Sequence, residues 1–248
     1  MIISVINRRG GAGKTTTAHA LGAGLAKKGF KVLFIDLDSQ GNLSFDNGIL
    51  TARSSSMDLL TGRTGAKEAI ITGGLCDIIP GNNSLSTADI ILTDTGKEYR
   101  LKEALETIRS AYDHIIIDTP PALGTLAVNA LTASDAAIIP AQAEIHSLQG
   151  IKLLNETIEA VKKYTNSNLR IDGILLTRYN PRTVLSKDMK KSIESMAGAL
   201  NTRLYKSAIR ECVSIKEAQA RQQDIFNYAP QSNASRDYMA FINEFLKV

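Results

Sequence analysis

Met1-Ile-Ile-Ser-Val-Ile-Asn-Arg-Arg-Gly-Gly-Ala-Gly-Lys-Thr-Thr-Thr17 runs from a short apolar stretch through a glycine-rich turn into a helical pattern that opens at Thr15. A buried parallel strand feeding such a turn creates a concavity of backbone N–H groups, and the following helix adds the positive end of its dipole. That combination binds the phosphates of a nucleotide. Gly10, Gly11 and Gly13 let the backbone come close, Lys14 reaches the terminal phosphate oxygens, and the Thr15 hydroxyl suits Mg²⁺. Ala12 and Thr16 complete the phosphate-contacting stretch that begins at Arg9. The eight-residue pattern usual for this loop has glycine where this chain has Arg8, so the loop is a variant with a cation, Arg9, inside it.

Two further apolar runs end in carboxylates. One is followed by Asp36-Leu-Asp-Ser-Gln-Gly-Asn42, the other ends in Ile115-Ile-Ile-Asp-Thr-Pro-Pro121. A strand ending in Asp downstream of a phosphate loop supplies the carboxylate that holds the Mg²⁺ shell. Asp36 and Asp38 are each able to hold magnesium, polarise an attacking water or stabilise a turn. The assignment adopted is Asp38 orienting the water, with Asp36 and Asp118 acting through the Mg²⁺ shell. Lys14 and Arg9 join Asp38 as the catalytic candidates.

The bulk numbers narrow the class. The chain has 248 residues, 44% of them hydrophobic, which is enough for one sizeable core and is read as one domain, 1–248. No apolar run approaches the roughly 20 residues that cross a bilayer, and the N-terminal run reads as a strand rather than a leader. Two distant cysteines and three scattered histidines give no metal-ligand spacing. The cysteine usage fits a reducing cytoplasm. The net charge of +4 is uneven. Residues 162–221 carry 13 Lys/Arg against 5 Asp/Glu, and the rest carries 16 against 20. A basic third on a near-neutral body fits a polyanion-binding face, and solvated helix faces are the plainer alternative. With no tryptophan, stacking platforms for single-stranded nucleic acid are not expected.

Short apolar runs alternate with helical patterns along the whole chain, which predicts an α/β fold: a mostly parallel central sheet with helices on both faces. Strands are expected over 2–7, 31–36, 77–80, 114–118, 136–140, 172–177 and 203–208. Helices are expected over 15–28, 101–111, 148–163, 187–199 and 235–246. The least regular stretch, 41–72, reads as mobile loops. In such sheets ligands sit beyond the carboxyl ends of the strands, where the three motifs lie.

Together with Asn129-Ala-Leu-Thr-Ala-Ser-Asp135, Ile139-Pro140, Gly173-Ile-Leu-Leu-Thr-Arg-Tyr-Asn-Pro-Arg182 and the stretch 228–238, these motifs give a chain that resembles the ParA/Soj partition ATPases. That family belongs to the deviant Walker-type P-loop ATPases, a group that also contains MinD. The resemblance spans nearly the whole chain and is to the short form without an N-terminal DNA-reading segment. It implies ATP and Mg²⁺ as cofactors, and an ATP-dependent homodimer in which each loop cation reaches the other subunit's phosphates. It further implies hydrolysis that splits the pair, slow without a ParB-like partner. The family's loop cation is lysine. Arg9 keeps the charge but is longer, planar and bidentate, so the exchange bears on turnover more than on ATP binding.

The resemblance also implies non-specific binding of double-stranded DNA, at the nucleoid of a bacterial cytoplasm. Motif matching gives Arg182 and Arg210 as contacts, helped by Lys187, Lys190, Lys191 and Arg221. Phosphate neutralisation needs only cations on one face. Glu211 and Gln223 lower the local charge relative to the family pattern, and for Arg210 a packing or nucleotide-adjacent role is the competing reading. The adenine pocket is expected near Arg178, Asn180 and Ile209. A MinD-like membrane ATPase is the alternative, as is a relative that positions a protein cargo. The first is disfavoured because the chain stops at Phe245-Leu-Lys-Val248, with no basic amphipathic extension.

Overall fold

The structure is a computed structural model that describes residues 1–247. The chain runs β1 (Ile2–Val5), α1 (Lys14–Lys27), β2 (Val32–Asp36), α2 (Asn42–Asp46), α3 (Ser56–Leu60), α4 (Ala66–Ala69), β3 (Asp77–Ile79), α5 (Ala88–Ile91) and α6 (Arg100–Glu106). It continues β4 (His114–Asp118), α7 (Thr125–Ala133), β5 (Ala136–Gln142), α8 (Ile145–Tyr164), β6 (Arg170–Thr177), α9 (Val184–Ala199), β7 (Leu204–Ala208), α10 (Val213–Ala220), α11 (Ile225–Tyr228) and α12 (Asn233–Phe245). Three 3₁₀ turns lie at Asn83–Thr87, Lys97–Tyr99 and Arg109–Ala111.

The seven expected strands form one sheet in the order β3-β2-β4-β1-β5-β6-β7, every neighbouring pair parallel. The strands read as continuous apolar runs because both faces are covered. Alternate residues feed opposite layers. Ile3, Val5, Phe34, Ile116, Ile138 and Leu175 pack with α1 and α12 on one side. Leu33, Ile35, Ile115 and Ile117 pack with α6 and α7 on the other, where Ile139, Ile174 and Leu176 meet α8 and α9. The apolar stripe of α12 (Ala234, Tyr238, Phe241, Ile242 and Phe245) recurs at helical spacing and is buried along its length. Pro140 sits inside β5 without breaking the sheet, since β1 stops pairing with that strand at Ile138.

Two expectations change. The stretch 41–72 contains three short helices, and α3 is held by a capping box in which Ser55 accepts from the Asp58 amide while the Asp58 carboxylate accepts from the Ser55 amide. The expected helix 101–111 ends at Glu106, and a separate 3₁₀ turn follows. The expected fold class stands, and it brings the ends of β1, β2 and β4 together at the carboxyl edge.

Candidate nucleotide site

The glycine loop leaves β1 and enters α1 through Gly13, whose φ of +90° is open to glycine and strained for other residues. Gly11 is also left-handed, at φ +74°, and nothing lies where a Cβ on Gly10 or Gly11 would project. No side chain caps α1 at Gly13. Its first-turn amides therefore face the loop concavity, the arrangement that receives anionic oxygens. A cavity of 450 Å³ opens there, lined by Gly10, Gly11, Gly13, Lys14, Thr15 and Thr16 together with Asp38, Asp46, Pro121 and Arg178. Ala12 is buried behind the loop, its carbonyl accepting from the Thr177 hydroxyl at 2.8 Å. Lys14 is 7% exposed, and its ammonium reaches the Arg9 carbonyl at 3.4 Å. Burial pulls its pKa down, while Asp118 and Asp38 resist that.

Asp118 ends β4, fully buried. One carboxylate oxygen accepts from the Thr15 hydroxyl at 2.6 Å, and the other is buried with no partner. Burial and then Asp36 push its pKa well above the usual carboxylate value. A buried carboxylate with an orphaned oxygen beside a hydroxyl is a hard-oxygen donor set in need of a cation, and the residues present fit Mg²⁺.

Asp36 is placed differently. Its carboxylate accepts from the Asp38 amide at 3.0 Å on one oxygen, and from the Ser44 amide and hydroxyl at 2.9 and 2.7 Å on the other. One oxygen is thus engaged by the loop that carries Asp38 and the other by α2, which follows that loop. Burial is the main reason its pKa is raised, and those donors oppose the rise. Asp38 lies on the cavity wall, with one oxygen closing a turn to the Gln40 amide at 3.0 Å. Arg9 turns toward its own chain, with Nη1 at 2.5 Å from Glu144 Oε2.

A second cavity, of 120 Å³, lies against the first along Gly13 and Thr16. Of the three residues expected near the base, Arg178 and Ile209 line it, and Asn180 does not, its carboxamide oxygen accepting from the Arg182 amide instead. Arg178 holds a left-handed φ of +48°, unusual for its type and typical of functional loops. Cys212, Gln219 and Tyr238 also line this cavity. No sequence signal placed them at the loop, Tyr238 being marked only as the end of the stretch 228–238, because α10 with its capping Cys212 and α12 come to the loop only through the tertiary fold.

The basic residues divide. Arg182, Lys187, Lys191 and Arg221 are exposed, and Lys190 is half-buried over the Tyr179 ring. Arg210 is forked onto Asp237, with Nε at 2.9 Å and Nη2 at 2.6 Å, and it lines the smaller cavity. Its charge is matched within the chain. Among the described residues, no helix is long and apolar enough to cross a membrane.

A parallel sheet with a glycine loop after β1, a lysine and threonine opening α1, and an Asp closing β4 onto that threonine define a P-loop nucleoside triphosphatase. A family model described as an AAA domain matches residues 1–171. The chain is 39% identical to the sporulation initiation inhibitor protein Soj of Bacillus subtilis, over 98% of this chain and 97% of that protein. It is 36% identical to the chromosome partitioning protein ParA of Caulobacter vibrioides, over 99% and 93%. Among solved structures, cobyrinic acid a,c-diamide synthase from Mycobacterium smegmatis with bound ADP and magnesium superposes with a TM-score of 0.86 at 30% identity, covering 99% of this chain and 94% of that one. The chain belongs to the ParA/Soj family of partition ATPases.

Proposed function

We propose that this chain is an ATP-driven partition switch. ATP and Mg²⁺ occupy the larger cavity, ATP-bound copies pair as a homodimer, and the pair holds double-stranded DNA without sequence preference. Hydrolysis, accelerated by a ParB-like partner, releases the DNA in the bacterial cytoplasm. The observation that carries the reading is the Thr15–Asp118 pair with its orphaned carboxylate oxygen on the floor of the glycine loop.

Each residue has a distinct task. The loop amides and Lys14 bind and orient the phosphates, and Thr15 and Asp118 hold the metal. Magnesium, when bound, neutralises charge on the phosphate oxygens. Asp36 fixes the Asp38 loop through its three accepted bonds, and Asp38 orients the water. Arg9 supplies the charge that a subunit presents across the pair. Exposed Arg182, Lys187, Lys191 and Arg221, with Lys190 beside them, neutralise DNA phosphates. Arg210 serves the base pocket, held there by Asp237.

The test is a shift of non-specific duplex DNA by the pure protein with ATP, ADP or no nucleotide at two salt concentrations. Binding that needs ATP and weakens steeply with salt supports the switch. Binding indifferent to nucleotide refutes the coupling, and no binding at all refutes the DNA role.

A further inference from the structure

Three contacts join the glycine loop to the end of β5 and the turn that leads from it into α8. Asn7 Nδ2 donates to the Pro140 carbonyl at 2.6 Å, and Gln142 Nε2 donates to the Gly11 carbonyl at 2.8 Å. The third, between Arg9 and Glu144, is the only one of the three between charges, and both side chains are partly open to solvent at 35% and 43% exposure. The Arg9 backbone is pinned, its amide donating to Asn7 Oδ1 at 2.9 Å, so only its side chain is free to swing.

Glu144 precedes the 20-residue helix α8 at the capping position, yet its carboxylate caps no amide there. Its backbone does the local work: the amide donates to the Gln142 carbonyl, and its own carbonyl accepts from Ser147. The Arg9 side of the contact is incomplete as well. Nη1 is buried and makes no hydrogen bond, so it touches the carboxylate as a charge without an aligned N–H. A guanidinium held by one poorly aligned oxygen gains when a phosphate offers several oxygens and more charge in the plane of its fork.

We propose that Glu144 is a positioning residue that holds Arg9 on its own chain until the terminal phosphate of a nucleotide displaces it. The carboxylate keeps the loop cation off the phosphate site when no triphosphate is there. ATP opens the contact, and a diphosphate, which lacks the terminal group, does not. The inference rests on the reading of Arg9 as a phosphate ligand given above.

The test compares wild type, Glu144→Gln, Arg9→Ala and the double variant. Sedimentation with a non-hydrolysable ATP analogue or ADP measures self-association, and calorimetry measures nucleotide affinity. For a contact this exposed, removing the carboxylate should tighten analogue-dependent self-association about 2- to 5-fold. ADP should give no change, and neither nucleotide should show an effect once Arg9 is alanine. An equal change with and without Arg9, no change, or weaker association overturns the proposal. If wild type stays monomeric with the analogue, the homodimer reading falls by itself. The affinity data then decide the holding role: a raised preference for analogue over ADP in Glu144→Gln that depends on Arg9 supports it, and an unchanged preference overturns it.

Discussion

Asp46 and His19 stand on the wall of one cavity next to the phosphate site and titrate in opposite senses. Burial pushes Asp46 from the ordinary 3.8 up to about 6, with Asp36 adding to the rise and the Gln219 hydrogen bond opposing it. Burial pulls His19 from 6.5 down to about 4, against Asp224. Between about pH 4 and 6 the folded chain keeps a proton on Asp46 that the unfolded chain has released, so this group makes stability fall as pH rises. Over nearly the same window the unfolded chain holds a proton on His19 that the folded chain refuses, so that group makes stability rise. At about 1.4 kcal/mol per pH unit of displacement, each contributes about 3 kcal/mol, and the two nearly cancel in the wild type. Asp46→Asn keeps an acceptor for Gln219 while removing the titration. Urea unfolding of nucleotide-free protein from pH 4 to 7.5 should show its stability relative to wild type growing by about 3 kcal/mol up to pH 6 and staying level above. His19→Gln should show the mirror trend, losing a similar amount relative to wild type over the same window. Difference curves that stay flat for both variants would refute the buried, oppositely shifted pair.

Asp38→Ala should keep ATP-dependent self-association and abolish turnover, read by sedimentation and phosphate release; normal turnover removes Asp38 from its assigned role. Arg182→Glu should weaken DNA binding and lower the steepness of its salt dependence while leaving thermal stability and nucleotide affinity as they are. Arg210→Glu sets a carboxylate against Asp237 and should lower both stability and nucleotide affinity, so equal behaviour of the two variants would contradict the division between them. Gly24→Ala would drive a Cβ into Ile242 Cδ1 where α1 meets α12, and the overpacking should cost about 1–3 kcal/mol in urea unfolding. Ile242→Val removes that methyl and should recover most of the loss; no recovery would place the strain elsewhere.

What the sequence made legible follows from how local each signal is. The strands could be read because a parallel strand covered on both faces is an uninterrupted apolar run, and His114–Asp118 matches its expected span to the residue. The glycine loop could be read because its function constrains contiguous residues. The short helices of 41–72 could not, since four or five residues show no helical period, and only the Ser55–Asp58 box leaves a trace. The partners of the motif residues were equally hidden. Nothing local says that Ser44 takes up Asp36, that Asp237 takes up Arg210, or that Glu144 takes up Arg9.

Those three pairings change what the motifs mean. A carboxylate or guanidinium in a family motif reads as a ligand for phosphate, metal or DNA, because sequence shows a charge without its partner. In the folded chain each charge must be matched or solvated, and the match decides which remain available. Asp36 is matched by three short donors and Arg210 by a fork, so both are committed to holding neighbouring parts of the site. Asp118 keeps one oxygen unmatched at full burial, where an unpaired charge is most costly and a cation is most welcome. Arg9 lies between these cases, matched by one carboxylate through one poorly aligned nitrogen. The groups left incompletely paired, Asp118 and Arg9, are therefore the ones whose surroundings a bound cation or anion would change most.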